Sequence, residues 1–286
     1  MTISLGILFG IIAMLCWGIS DFFAAMAARK TSVISTLFWS QTAGTLMLIL
    51  IYPLFFKIPA VSFTIIMLIL ASAFLNIAAL LGFYKGMQIG SVSIISPIAS
   101  AYSAVTVILS LLFLDEKLNA LQAAGIFLAI SGAVLTSFRL HDLLKLNFRN
   151  SAAGVKYGLI ALFSWGIFFV LVGILVKNMG WLLPPLIIKT MGIFYMLSYA
   201  GASRKKISFP KNAALFIILL GVLETVGFLS VGAGMGFEQI SIVAPVSSTY
   251  PLITIILAQI FFKEIIDINQ KVGIAVVLLG LVLLSI

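Results

Sequence analysis

Apolar residues run along this chain in long blocks separated by short polar or basic stretches. Ten blocks stand out, at about 3–27, 34–56, 63–85, 92–113, 119–138, 155–176, 181–202, 213–235, 241–262 and 268–286. Each reaches the roughly 17–25 residues that an α-helix needs to cross about 30 Å of hydrocarbon. The strands of a membrane barrel would be about ten residues long and alternate apolar with polar. The pattern predicts an all-α polytopic membrane protein with ten transmembrane helices.

The blocks repeat. Trp17-Gly18-Ile19 recurs as Trp165-Gly166-Ile167, Pro97 as Pro245, Tyr102 as Tyr250, Glu116 as Glu264, Gln122 as Gln270, Gly125 as Gly273 and Gly132 as Gly280. Every pair is separated by the same offset of 148 residues, so a five-helix unit over 1–138 is duplicated over 154–286, with a linker loop at 139–153 expected on the cytoplasmic side. An odd number of spans per copy places the copies in opposite orientations. Inverted repeats of this kind are typical of secondary transporters, whose substrate site lies near mid-membrane between the halves.

Composition agrees: 63% of the 286 residues are hydrophobic and 9% are charged, against about 25% charged in soluble chains. The net charge of +9 does not indicate a nucleic-acid partner, because the basic residues sit in loops between spans. Counted on alternate sides, thirteen Lys and Arg fall on one face and three (Lys57, Lys117, Lys177) on the other, with Lys189 inside a span. Basic loops stay in the cytoplasm, so both termini are expected outside a cell membrane. Cys16 is the single cysteine and excludes an intramolecular disulfide. The first apolar run lacks the basic leader and small-residue exit of a cleavable signal peptide. His141 is the single histidine and lies outside the spans, so no metal site and no cofactor are expected.

Polar side chains at mid-span are costly in hydrocarbon and usually face a cavity or a partner. Four qualify, and the repeat pairs them: Gln41 aligns with Lys189, and Asn76 with Glu224. One copy therefore carries two amides where the other carries opposite charges. The depths of Lys189 and Glu224 differ by about 5 Å at 1.5 Å per residue, within reach of a lysine side chain. The pair reads either as a structural lock or as a substrate or proton site at Glu224 tuned by Lys189. Asp21 lies about six residues from the cytoplasmic end of its span, counting in the sequence, and reads either as an anchor to Arg29 or Lys30 or as an ion-coupling group.

Pro97 and Pro245 fall early in spans four and nine, where each frees the carbonyl of Ser93 or Ser241. They read as hinges or gates, or as simple packing kinks. Ser100 and Ser248 share the proline face at i+3, with Tyr102 and Tyr250 further along. Trp17 and Trp165 are too deep for interfacial-belt aromatics and could line a cavity. Gly6 and Gly10, repeated as Gly154 and Gly158, and the series Gly82, Gly86 and Gly90 have the spacing of closely packed membrane helices.

The duplicated Trp-Gly of the first span, followed by Pro, Glu, Gln-x-x-Gly and a second Gly, resembles the EamA-type unit of the drug/metabolite transporter superfamily. The resemblance covers nearly the whole chain apart from the linker. It implies a 5+5 inverted-repeat carrier whose pathway is faced by Trp17, Asn76, Pro97, Ser100, Trp165, Glu224, Pro245 and Ser248. By the same resemblance spans five and ten are peripheral or form a homodimer, and Glu116 and Glu264 cap helix ends or loops. Many relatives are drawn with cytosolic termini, and the charge count of this chain departs from that. The expected function is secondary active transport of a small organic solute, an amino acid or an amphipathic or cationic one. It would proceed by alternating access, coupled to protons through Glu224. A channel or lipid-handling protein is the alternative. An intramembrane enzyme is the least supported reading, because the spans carry no histidine, no nucleophile elbow and no metal-ligand cluster.

Overall fold

The computed structural model describes residues 4–28, 30–55, 62–89, 92–141, 148–263 and 265–285. Helices account for the regular structure of these described residues. The first half contains α1 (Leu5–Ala28), α2 (Val33–Ile51), α3 (Phe63–Ile89), α4 (Val92–Ser100), α5 (Tyr102–Phe113) and α6 (Ala120–Thr136). The second half contains α7 (Phe148–Met179), α8 (Leu183–Ala202), α9 (Ala214–Met235), α10 (Ile240–Ser248), α11 (Pro251–Phe262) and α12 (Ile268–Leu284). Among the described residues seven segments are long and apolar enough to cross a membrane: Leu5–Ala24, Val33–Leu54, Phe63–Gly86, Gly154–Met179, Leu183–Ala202, Lys211–Met235 and Ile240–Phe261. Ile98–Phe113, Ala120–Thr136 and Ile268–Leu284 are apolar but shorter.

Local sequence sets the helix ends. Pro184 and Pro185 open α8, where a missing N–H costs nothing. Asn119 and Gln122 form a capping box on α6: the Gln122 N–H donates to Asn119 Oδ1 at 2.8 Å, and the Asn119 N–H to Gln122 Oε1 at 3.0 Å. At the repeat-related end of α12, the Asp267 N–H donates to Gln270 Oε1 at 3.1 Å. The recurring glutamines are therefore helix-start devices. Helix α7 begins at Phe148, inside the segment expected to be a linker loop. No proline interrupts Phe148 to Met179, so the helix extends beyond the apolar run that marks the span.

Two expected single helices are broken. The break does not fall at the prolines, since Pro245 lies inside α10 and Pro97 lies in α4. It falls four residues on, with nearly identical dihedrals in both copies: Ala101 at φ −74°, ψ 5° and Thr249 at φ −78°, ψ 7°. Tight i→i+3 bonds bridge the joint, with the Ala104 N–H donating to the Ala101 carbonyl and the Leu252 N–H to the Thr249 carbonyl. The backbone thus stays satisfied while the axis is interrupted.

The two halves interlock with exchange symmetry. Helix α1 packs on α9, and its counterpart α7 packs on α3. Helix α1 also lies along α10 and α11 as α7 lies along α4 and α5. Helix α2 packs on α8, its own counterpart, and α6 on α12, its own counterpart. Glycines permit the close α6–α12 approach: a Cβ on Gly132 would stand 2.8 Å from the Gly273 carbonyl oxygen, and one on Gly280 2.8 Å from that of Gly125. These recurring glycines are thus used to pack two helices of one chain. Gly18 and Gly166 play matched roles, each pressed against the carbonyl of Tyr250 or Tyr102 at a helix break.

Candidate functional site

A cavity of about 100 Å³ lies where the halves meet. Trp17, Ser20 and Asp21 come from α1; Asn76, Leu80, Phe83 and Tyr84 from α3; and Tyr102 from the start of α5. Trp165, Phe168 and Phe169 come from α7, Glu224 and Phe228 from α9, and Tyr250 from the break before α11. Twelve of these fourteen form six repeat-related pairs: 17 with 165, 20 with 168, 21 with 169, 76 with 224, 80 with 228 and 102 with 250. A cavity lined by matched residues of both copies straddles the axis that relates them.

The aromatic walls repeat that symmetry. The Trp17 and Tyr250 rings meet edge-on with centroids 6.3 Å apart, and Trp165 and Tyr102 do so at 6.0 Å. Phe169 joins both clusters, 5.7 Å from Trp17 and stacked on Tyr102 at 5.0 Å. The indoles are fixed by acceptors at matched positions: Trp17 Nε1 donates to the Glu224 carbonyl oxygen at 3.1 Å, and Trp165 Nε1 to Asn76 Oδ1 at 3.4 Å. Gly227 leaves room for the first, since a Cβ there would stand 2.5 Å from the Trp17 ring.

Behind one wall lies the polar group that the repeat alignment singles out. Lys189 forms an ion pair with Glu224, and its Nζ also donates to Gln41 Oε1 at 3.0 Å. Gln41 Nε2 reaches Glu224 Oε2 at 3.5 Å. Lys189 is 1% exposed, whereas the Glu224 side chain is 27% exposed and opens on the cavity. The sequence suggests two separate pairs, amides in one copy and charges in the other. The structure instead brings Gln41 into the charged group, because α2 and α8 cross where 41 and 189 become neighbours. Asn76 is left to orient Trp165.

The structure also places the other residues singled out from the sequence. Asp21 lines the cavity, and Lys30, one of its two expected partners, lies over the Phe216 ring at 4.7 Å. Ser100 and Ser248 do not face the cavity: Ser100 accepts from the Ser137 hydroxyl at 3.1 Å, and Ser248 donates to the Ser103 hydroxyl at 2.9 Å. They join helices at the breaks. Pro245 is buried within α10, and the helix is interrupted four residues beyond it, at Thr249. Glu264, Arg29 and Gly90 lie outside the described residues.

Glu116 has a defined task. Asp115, at φ 53°, turns the chain after α5, and Glu116 then reaches across to the other half. Its Oε1 accepts from the Ile240 N–H and its Oε2 from the Ser241 N–H, each at 2.9 Å. A carboxylate here satisfies two orphan donors and complements the positive end of α10. Lys263, repeat-related to Asp115, has φ 54°.

Sequence reasoning does not single out Ser20, Leu80, Phe83, Tyr84, Phe168, Phe169 and Phe228. A helical-face count finds several of them. Asp21 and Phe169 stand at i+4 from the two tryptophans, and Leu80 and Phe228 at i+4 from Asn76 and Glu224.

A bundle of apolar helices in two equivalent halves, enclosing an aromatic and polar cavity on their shared axis, has the organisation of a membrane transporter. The model of the EamA-like transporter family matches residues 4–138 and again 152–286; the chain belongs to that family. An uncharacterised transporter of Archaeoglobus fulgidus is 26% identical over 224 residues, covering 73% of this chain and 74% of its own. An uncharacterised protein of Methanocaldococcus jannaschii is 30% identical over 101 residues, 35% of this chain and 74% of its own. A protein crystal structure superposes with a TM-score of 0.81 over 100% of this chain and 99% of that one, at 12% identity, which is a likeness of fold.

Proposed function

We propose that this protein is a secondary carrier that moves a small organic solute across the cell membrane by alternating access. The cavity on the axis between the halves is the observation that carries this reading. In the proposed arrangement ten spans form two inverted five-span units with both termini outside. The seven long segments already include the broken pair α10–α11; the broken pair α4–α5 and helices α6 and α12, 17 residues each, complete the count. At about 1.5 Å per residue a 17-residue helix just covers a hydrocarbon core. The solute rests among Trp17, Trp165, Tyr102, Tyr250, Asn76 and Glu224, with Asp21 beside them. The breaks at Ala101 and Thr249, each four residues beyond Pro97 or Pro245, are the joints about which half-helices tilt as the halves rock.

The Lys189–Glu224–Gln41 group ties α8, α9 and α2 together and acts first as a lock. Proton coupling through Glu224 requires that lock to open during the cycle, because Lys189 and Gln41 occupy its carboxylate.

Counterflow in sealed vesicles tests the carrier reading. Vesicles preloaded with an unlabelled solute from a panel of small amines, amino acids and organic acids should transiently concentrate the labelled form above equilibrium. Trp17→Ala and Trp165→Ala should each lower that overshoot at least tenfold. Simple equilibration that rises linearly with concentration for every panel member would contradict a carrier and support a pore.

A further inference from the structure

We infer that the solute is a small monovalent organic cation, of the alkylammonium or methylammonium kind, and that Asp21 is its counter-ion. This rests on the carrier reading and narrows the chemistry of the same cavity. Three observations lead there.

The first is the fate of the cationic side chain. The carboxylate of a zwitterion or an organic acid is bound most strongly by a positive group. Lys189 is the basic residue at the cavity, yet its side chain is 0% exposed, behind Glu224, and its ammonium is taken by Glu224 and Gln41. No basic side chain lines the cavity among the described residues. The sequence alone leaves an amino acid open, because Lys189 could have faced the solute.

The second is the acid that remains. Asp21 lines the cavity together with Glu224. Glu224 is matched by Lys189, so the cavity carries one carboxylate more than its ammonium can neutralise. A cation close by favours the charged form of a carboxylate, and a cationic solute supplies one.

The third is the break in symmetry. The aromatic pairs Trp17–Trp165 and Tyr102–Tyr250 recur in both copies, but Asp21 stands where the second copy has Phe169. The acid is an addition to one wall of an aromatic box. Ring faces attract cations and favour weakly hydrated ones such as alkylated ammonium groups. Phe169 and Trp17, at 5.7 Å from each other, line the same cavity as Asp21. The volume of about 100 Å³ suits a small occupant.

Isobutylammonium, valine and isovalerate share one branched skeleton and differ in charge. Their binding to the purified full-length protein can be compared by equilibrium dialysis, on wild type, Asp21→Asn and Trp17→Ala, with thermal unfolding and gel filtration as folding controls. Isobutylammonium should bind saturably and at least tenfold more tightly than valine or isovalerate. Asp21→Asn, nearly isosteric, should weaken it at least tenfold with the unfolding temperature held. Tighter binding of valine or isovalerate that is lost in Trp17→Ala would overturn the cation assignment and leave the carrier reading standing. Cation binding unchanged in a folded Asp21→Asn would overturn the role of Asp21. Saturable binding of none of the three would overturn the inference and count against a solute site in this cavity.

Discussion

Glu224→Gln will destabilise the protein by about 3 kcal/mol, the typical cost of stranding one member of a buried ion pair. The reason lies in what it leaves behind. Lys189 is 1% exposed, with Gln41 Oε1 as its other polar partner, so its amino group would be left in the bundle without its carboxylate partner. The reverse change, Lys189→Gln, leaves a carboxylate whose side chain is 27% exposed to the cavity, where water can reach it. Its cost should be smaller, about 1–2 kcal/mol. The double change Lys189→Gln with Glu224→Asn installs the residues that the first copy carries at 41 and 76. It removes both charges together, and such replacements are often neutral, so the double variant should lie within about 1 kcal/mol of wild type. Thermal or denaturant unfolding in detergent measures all three. A Glu224→Gln protein as stable as wild type would mean that the pair does not hold these helices.

Glu116→Ala should cost about 2 kcal/mol and free one end of the bundle. Helix α10 begins with Gln239, whose side chain makes no capping bond, and both Ile240 and Ser241 are fully buried. Their N–H groups are met by the two Glu116 oxygens. Without that carboxylate two buried donors go unsatisfied, at about 1–3 kcal/mol each before relaxation, and the charge that complements the helix dipole is lost. Glu116→Gln keeps one acceptor and should lose about half as much. Hydrogen exchange at Ile240 and Ser241 reads this locally. Protection there should fall by at least tenfold in Glu116→Ala, while α6 and α12 are unaffected. Because Glu116 follows α5 and its partners open α10, the bond joins the two halves, and its loss should also raise the rate at which they separate at that end. Unchanged protection at those two amides would remove Glu116 from this role.

Much of the fold can be read from the apolar blocks and the constant offset, because period and repetition survive divergence. Pairing Lys189 with Glu224 is also legible, since a lone charge at that depth has few alternatives. Three features are not, each for a physical reason. Gln41 joins the charged group because α2 crosses α8, its own repeat partner, and a linear alignment compares such residues without showing that they touch. Distance from the span end gives the depth of Asp21 but says nothing of helix face; the i+4 relation to Trp17 is the informative spacing. Pro97 and Pro245 suggest where the helices break, yet a proline early in a helix removes one bond and leaves the rest intact. The axis breaks where Ala101 and Thr249 switch to a tight turn, a choice that no single residue type marks. The glutamine recurrences, by contrast, can be read as capping boxes from Asn119 and Asp267 three residues before them.

Alternating exposure of the cavity can be measured without knowing the solute. Leu80 lines it and contributes no polar contact, so Leu80→Cys in a Cys16→Ser background gives a single reporter. The protein would be sealed in vesicles of uniform orientation and a membrane-impermeant maleimide applied to one face or the other. Carrier behaviour requires the introduced thiol to react from both faces, with each treatment slowed when the protein is trapped open to the opposite side. Reaction from one face only, however long the exposure, would contradict alternating access through this cavity.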